Sequence, residues 1–224
     1  MDGGGRMKAI FFDMDGTLID SQADLADAVN TTRRMLGLEA SPQPAVIANV
    51  GQGARYLLTN SIPECCGEDA LKPMEFDELW ALFRKHYAEC CCSKVVLYPG
   101  VEDTLNELRR CGWSLGINTN KPRFATLKIL ERFKLPHLFG DAVVAGGDCE
   151  EMKPSAMPLV ECAKRMGHTL GSEDWMVGDS WQDLDCAAAA GVKSAFCEFG
   201  FGQIKKENYT AKISSFSELL HLCV

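Results

Sequence analysis

The sequence predicts an α/β fold: a mostly parallel sheet with helices on both faces and one helical insertion. Three observations lead there. Short continuous apolar runs recur along the chain, as they do in strands covered on both faces. Amphipathic stretches with helix stop signals lie between them, and strand–helix–strand alternation implies parallel pairing. The interval from 21 to 94 breaks this alternation and contains no convincing strand.

Taken in order, Ala9–Phe12 reads as the first buried strand. Asp24–Leu36 carries Leu25, Ala28, Val29 and Leu36 at broadly helical spacing, and Phe76–Tyr87 does the same with Leu79, Leu82 and Phe83. Tyr98-Pro99-Gly100 marks the return from the insertion. Val101–Leu108 has acidic residues in its first turn and Gly112 beyond its end, which frames a helix. Trp113–Ile117 is the second strand of the sheet, Phe124–Phe133 a helix, and Ala142–Ala145 the third strand. Leu159–Met166 stops at Gly167, and Leu184–Ala190 stops at Gly191, both suited to left-handed caps. Trp175–Val177 and Ser194–Cys197 complete the strands. The expected division is a core from residues 1–20 and 95–224 and a helical unit from 21–94. Residues 1–6 read as a flexible leader.

Composition excludes several classes. At 224 residues and 46% hydrophobic, the chain is not globally disordered and has enough length for a substantial core. Acidic residues outnumber basic ones, 31 to 23, which disfavours binding to nucleic acid or to an anionic membrane surface. No apolar stretch approaches the roughly 20 residues of a membrane span. The 11 cysteines are odd in number, and no secretory signal is visible, so free thiols in a reducing cytoplasm are expected. Cys65-Cys66 and Cys90-Cys91-Cys92 lack a Cys-x-x-Cys spacing, and adjacent cysteines do not easily share one tetrahedral ion.

The chemistry gathers at strand ends. The first strand runs into Asp13-Met14-Asp15-Gly16-Thr17-Leu18. In an open parallel sheet, ligands bind at the carboxyl ends of strands. Two carboxylates so spaced allow one to attack an electrophile while the other handles a proton. The strand at Trp175–Val177 leads to Gly178-Asp179-Ser180 and then Asp183. Two acidic clusters converging from parallel strands suit a hard, oxygen-seeking divalent cation, Mg²⁺ before others. For the second cluster, a capping role for the aspartates is the competing reading. Ile117-Asn118-Thr119-Asn120-Lys121 offers a hydroxyl and backbone N–H groups to a phosphate oxygen, and Lys153-Pro154 offers a cation.

These residues together resemble the haloacid dehalogenase superfamily, in its phosphoglycolate phosphatase-like branch. Four motifs match in order: Asp13-Met14-Asp15-Gly16-Thr17-Leu18-Ile19-Asp20-Ser21, Thr119-Asn120-Lys121-Pro122, Lys153-Pro154, and Gly178-Asp179-Ser180-Trp181-Gln182-Asp183. Gly146-Gly147-Asp148 and Gly51-Gln52-Gly53-Ala54 are similar to that branch too. The resemblance implies a Rossmann-like core with a helical C1 cap. It implies a phosphatase for a small phosphate ester, with 2-phosphoglycolate as the named substrate. Asp13 would be the nucleophile and Asp15 the general acid and base. Mg²⁺ would be held by Asp13, the Asp15 backbone carbonyl and Asp179, with Asp183 in support. Thr119 and the Asn120 backbone would bind the phosphoryl group, and Lys153 would balance its charge. In the cap, Arg55 is the leading candidate for a substrate anion, ahead of Arg33, Arg34 and Lys94.

One departure is that Ala156 stands where the branch often has a second proline after the lysine. Alternatives on the same fold are a sugar-phosphate phosphatase or a β-phosphoglucomutase-like phosphotransferase. A non-catalytic binding protein would be marked by loss of Asp13, Asp15 or Lys153, and all three are present. A monomer or homodimer is expected.

Overall fold

The computed structural model describes residues 8–66 and 70–223, so the expected leader lies outside it. The chain opens with β1 (Ala9–Phe12) and, after a tight turn, β2 (Ile19–Asp20). Four helices follow: α1 (Gln22–Met35), α2 (Gln43–Ile47), α3 (Gly53–Ser61) and α4 (Phe76–Cys90). Then β3 (Val96–Leu97) pairs antiparallel with β2, placing Ile19 opposite Leu97. The helical run therefore leaves and rejoins the rest of the chain through one short ribbon. The alternating part comprises α5 (Val101–Arg110), β4 (Ser114–Pro122), α6 (Arg123–Arg132), α7 (Pro136–Phe139), β5 (Val143–Gly146), α8 (Met157–Arg165), β6 (Trp175–Gly178), α9 (Trp181–Ala190) and β7 (Lys193–Cys197). β8 (Ala211–Ile213) and α10 (Leu219–Cys223) close it.

The sheet has the order β5-β4-β1-β6-β7-β8, and its neighbours pair in parallel. The chain moves outward from β1 through β4 to β5, then crosses to β6 on the other side of β1. That reversal opens a crevice at the carboxyl ends of β1, β4 and β6.

Strand periodicity builds two apolar layers. Ile10 and Phe12 of β1 pack in one layer with Leu115, Ile117, Trp175 and Val177, beneath α5 and α6. Ala9 and Phe11 point the other way, with Met176 of β6, to Leu159 and Cys162 of α8 and Cys186 of α9. A third cluster belongs to the helical run, with Leu25, Val29, Leu58, Leu79, Phe83 and Tyr87 on the inner faces of α1, α3 and α4. Ala125 of α6 joins that cluster, and Phe124 packs tilted against Trp80 and edge-on to Tyr87, with ring centroids 6.2 and 6.0 Å away. The helical unit is thus seated on the core through the start of α6.

The structure differs from the sequence reading in three places. β4 continues through Thr119-Asn120-Lys121 to Pro122, where a loop was expected from Asn118. Pairing with β5 resumes at Pro122 opposite Gly146 after an irregularity, which keeps those polar residues extended and buried. The ribbon strands β2 and β3 are too short to leave a pattern. β8 pairs in register with β7, Phe196 opposite Lys212, although its own residues alternate only weakly.

Candidate active site

Asp13 sits one residue past β1, and its N–H donates to the Val177 carbonyl at 2.9 Å, so the β1–β6 ladder itself fixes it. The chain then turns back on itself. The Met14 carbonyl accepts the N–H groups of Thr17, Leu18 and Ile19, at 3.0–3.2 Å. Gly16 has φ +79°, and a Cβ there would lie 1.7 Å from Asp179 Oδ2. The glycine therefore meets two demands: a left-handed backbone, and the close approach of a carboxylate from the neighbouring strand.

Asp13, Asp179 and Asp183 form a buried trio, each offering an oxygen within 4.8 Å of the others. Asp179 Oδ2 accepts the N–H groups of Phe201 and Gly202 at 2.9 and 2.7 Å. Burial, then the charges of Asp183 and Asp13, push its pKa well above the usual carboxylate range. Asp183 divides its oxygens. Oδ2 takes the N–H and hydroxyl of Ser180 in a capping box at the start of α9, and Oδ1 takes Lys153 Nζ at 2.6 Å. Asp183 thus caps α9 and belongs to the trio at once. Burial raises the Asp183 pKa, against the opposing pull of Lys153.

Lys153 Nζ also lies 2.9 Å from Asp13 Oδ1. Burial works against its charge, but Asp13 and Asp183 outweigh that, and the net pKa is raised. Lys153 is therefore a buried ammonium between two carboxylates. The chemistry of this donor set, all hard oxygen and crowded with negative charge, fits a hard divalent cation. Within the trio Asp179 is the member that receives only neutral N–H donors.

The Asp15 carboxylate lies apart from the trio. Its Oδ1 accepts from Ser21 Oγ at 2.5 Å and from Lys121 Nζ at 2.6 Å. Thr119 lines the cavity with its hydroxyl accepting the Lys121 N–H at 3.2 Å. The Asn120 side chain is committed elsewhere: Oδ1 accepts Lys153 N–H, and Nδ2 donates to the carbonyls of Lys153 and Gly51. It orients the Lys153 backbone and reaches across to the helical unit.

Arg55 is where the sequence reading departs from the structure. It is exposed on α3, and its guanidinium stacks 3.7 Å over the Phe76 ring, outside the residues that line the cavity. The preference of guanidinium for an aromatic face explains the placement. The weaker candidates are also occupied. Arg33 holds Glu64 and two backbone carbonyls, Arg34 bonds Thr31, and Lys94 pairs with Asp27.

The cavity, about 40 Å³, lies between the strand ends and the helical unit. Asp13, Asp15, Thr119 and Lys121 form its polar side, and Leu25, Val50, Leu57 and Phe83 its apolar side. Lys121 and Tyr87 are the residues the sequence reading passed over. Lys121 stood inside a quoted motif without a role of its own. Tyr87 entered only as the last residue of the Phe76–Tyr87 helix.

The profile of the haloacid dehalogenase-like hydrolases matches residues 10–197. The chain belongs to that family. This haloacid dehalogenase-like hydrolase is 33% identical over 217 residues to a phosphoglycolate phosphatase of Chromobacterium violaceum, covering 96% of each chain. It is equally identical, over 216 residues and the same coverage, to a phosphoglycolate phosphatase of Aquifex aeolicus. A crystal structure from Haemophilus somnus 129PT, described as a predicted phosphoglycolate phosphatase, superposes with a TM-score of 0.87 at 29% identity. That match covers 98% of this chain and 99% of the other. Among the described residues of this hydrolase, no helix is long and apolar enough to cross a membrane, and all 11 cysteines are free thiols.

Proposed function

We propose that this hydrolase is a Mg²⁺-dependent phosphomonoester phosphatase acting through an aspartyl-phosphate on Asp13, with 2-phosphoglycolate as its substrate. The observation that carries the reading is the buried Asp13–Asp179–Asp183 trio with Lys153 bridging Asp13 and Asp183. Relatives named phosphoglycolate phosphatase, matched over nearly their whole length, support the substrate.

In this reading an Asp13 carboxylate oxygen attacks phosphorus, and the bond to the ester oxygen breaks. Asp15 gives its proton to that leaving oxygen. A water then attacks phosphorus, the Asp13 O–P bond breaks to release inorganic phosphate, and Asp15 takes the water's proton, so both carboxyl groups return to their starting state. Thr119 and nearby N–H groups hold the phosphoryl oxygens, and Lys153 offsets charge on the transferring group. Asp13, Asp179 and the Asp15 backbone would hold the cation, with Asp183 fixing the lysine beside it. The ion, when bound, adds positive charge where the phosphoryl oxygens gather. The small cavity, far below the roughly 300–1,000 Å³ of sites for drug-sized ligands, favours a compact substrate. Residues 21–94 serve as a cap that excludes bulk water. The free thiols suit the cytoplasm.

The test is phosphate release from a panel of small phosphate esters with and without Mg²⁺. Chelation should abolish release, 2-phosphoglycolate should lead the panel, and Asp13→Asn should fall to background. Turnover retained by Asp13→Asn would sink the mechanism.

A further inference from the structure

The proposed proton carrier, Asp15, is tied to the helical unit by a chain of three groups. Lys121 Nζ donates to Asp15 Oδ1 at 2.6 Å and to the Tyr87 hydroxyl at 2.6 Å. Tyr87 comes from α4, at the far end of the insertion, and its side chain is fully buried. Phe83 and Phe124 flank its ring, with centroids 5.2 and 6.0 Å away, and the Lys121 ammonium also lies 5.3 Å from the ring centroid. The lysine side chain is 1% exposed, so these partners take the place of water around its charge.

We propose that Tyr87 is a positioning residue: from the helical unit, its hydroxyl holds the Lys121 ammonium against Asp15, so that the acid–base carboxylate is set only when that unit is seated on the core. This rests on the phosphatase reading above, in which Asp15 carries the proton.

The strand end Asn120-Lys121 touches the helical unit twice, Asn120 at the Gly51 carbonyl and Lys121 at the Tyr87 hydroxyl. On the core side, the same two residues hold the Lys153 backbone and the Asp15 carboxylate. Separation of the helical unit would strip Lys121 of its hydroxyl partner and its aromatic cover together. The flexible lysine stem would then leave the ammonium free to follow solvent rather than Asp15. A phenylalanine at 87 would keep the ring packing and remove only the tether. A purely structural tyrosine would owe its worth to that packing, so the two roles separate cleanly.

The experiment is a double-mutant cycle on kcat with Tyr87→Phe and Lys121→Met in the full chain. Tyr87→Phe alone should lose roughly ten- to hundredfold in kcat, the size expected when a hydrogen bond to a charged group is removed, with KM moving far less. In the Lys121→Met background the same substitution should cost less than about twofold, because the group it acts through is gone. Wild-type kcat retained by Tyr87→Phe, or an equal loss in both backgrounds, overturns the proposal. A second readout needs no turnover and no Lys121 variant. The buried Lys121 ammonium should give a protected ¹⁵N–¹H signal in the metal-free wild type that is lost or broadened in Tyr87→Phe. An unchanged signal also overturns the proposal. Absence of phosphate release by the wild type would instead overturn the phosphatase reading, and the ammonium signal would still decide the Tyr87 tether.

Discussion

Asp179→Asn should stabilise the metal-free protein while destroying its response to metal. Asp179 lies within 4.8 Å of both Asp13 and Asp183, oxygen to oxygen. At an effective dielectric constant near 20, each like-charge pair at that distance costs about 3.5 kcal/mol, or about 7 kcal/mol for two. The N–H bonds from Phe201 and Gly202 offset much of this, at ~1.5–3 kcal/mol each for a charged acceptor. A net penalty of roughly 2 kcal/mol remains, and an asparagine escapes it while its amide oxygen still accepts those N–H groups. For a chain of this size, that raises the metal-free Tm by about 4–8 °C. The sign with pH follows from the raised pKa of Asp179. Its stabilising contribution is present below the unfolded-state pKa and is lost as pH rises through the folded-state value. Metal-free wild type should therefore weaken across that window relative to Asp179→Asn. The assay is thermal unfolding from acid to neutral pH, with and without Mg²⁺. At a hundred times the Kd, bound metal adds about 2.7 kcal/mol to the wild type and should add nothing to the variant. A variant less stable than metal-free wild type, or one that keeps the full Mg²⁺ shift, refutes the reasoning.

Other expectations follow from single contacts. Lys153→Met leaves Asp13 and Asp183 buried without their cation and should cost about 3–5 kcal/mol by denaturant unfolding, with phosphate release at background. Gly16→Ala places a methyl on Asp179 and forces a left-handed alanine; phosphate release and the Mg²⁺ shift in Tm should both collapse, and survival of either argues against the tight turn. Thiol titration of the native protein should find Cys111 the readiest to react, as the one exposed cysteine, and blocking it should leave turnover unchanged.

Much of the site was legible in the sequence because strand ends in a parallel sheet announce themselves. A buried apolar run that stops at Asp13-x-Asp15-Gly16 has few structural uses, and a second such run at Asp179 pairs with it. What remained hidden shares one cause. Lys121 and Tyr87 are ordinary types at ordinary positions, and only the folding of an insertion onto the end of β4 makes them neighbours 34 residues apart. Arg55 is the reverse case. A cation near a glycine turn looked poised for an anion, but helix phase turned it outward onto Phe76.

By itself, the sequence determined the alternating architecture, the helical character of the insertion and the residues of the charged cluster. These follow from local periodicity and from motifs confined to single strand ends. Only the tertiary structure decided how the charges are shared. It gave Lys153 to Asp13 and Asp183, gave Lys121 to Asp15, and left Asp179 held by neutral N–H groups. Pairing energies depend on distances of a few ångströms between segments far apart in the chain, and those distances exist only once the sheet and the insertion have packed.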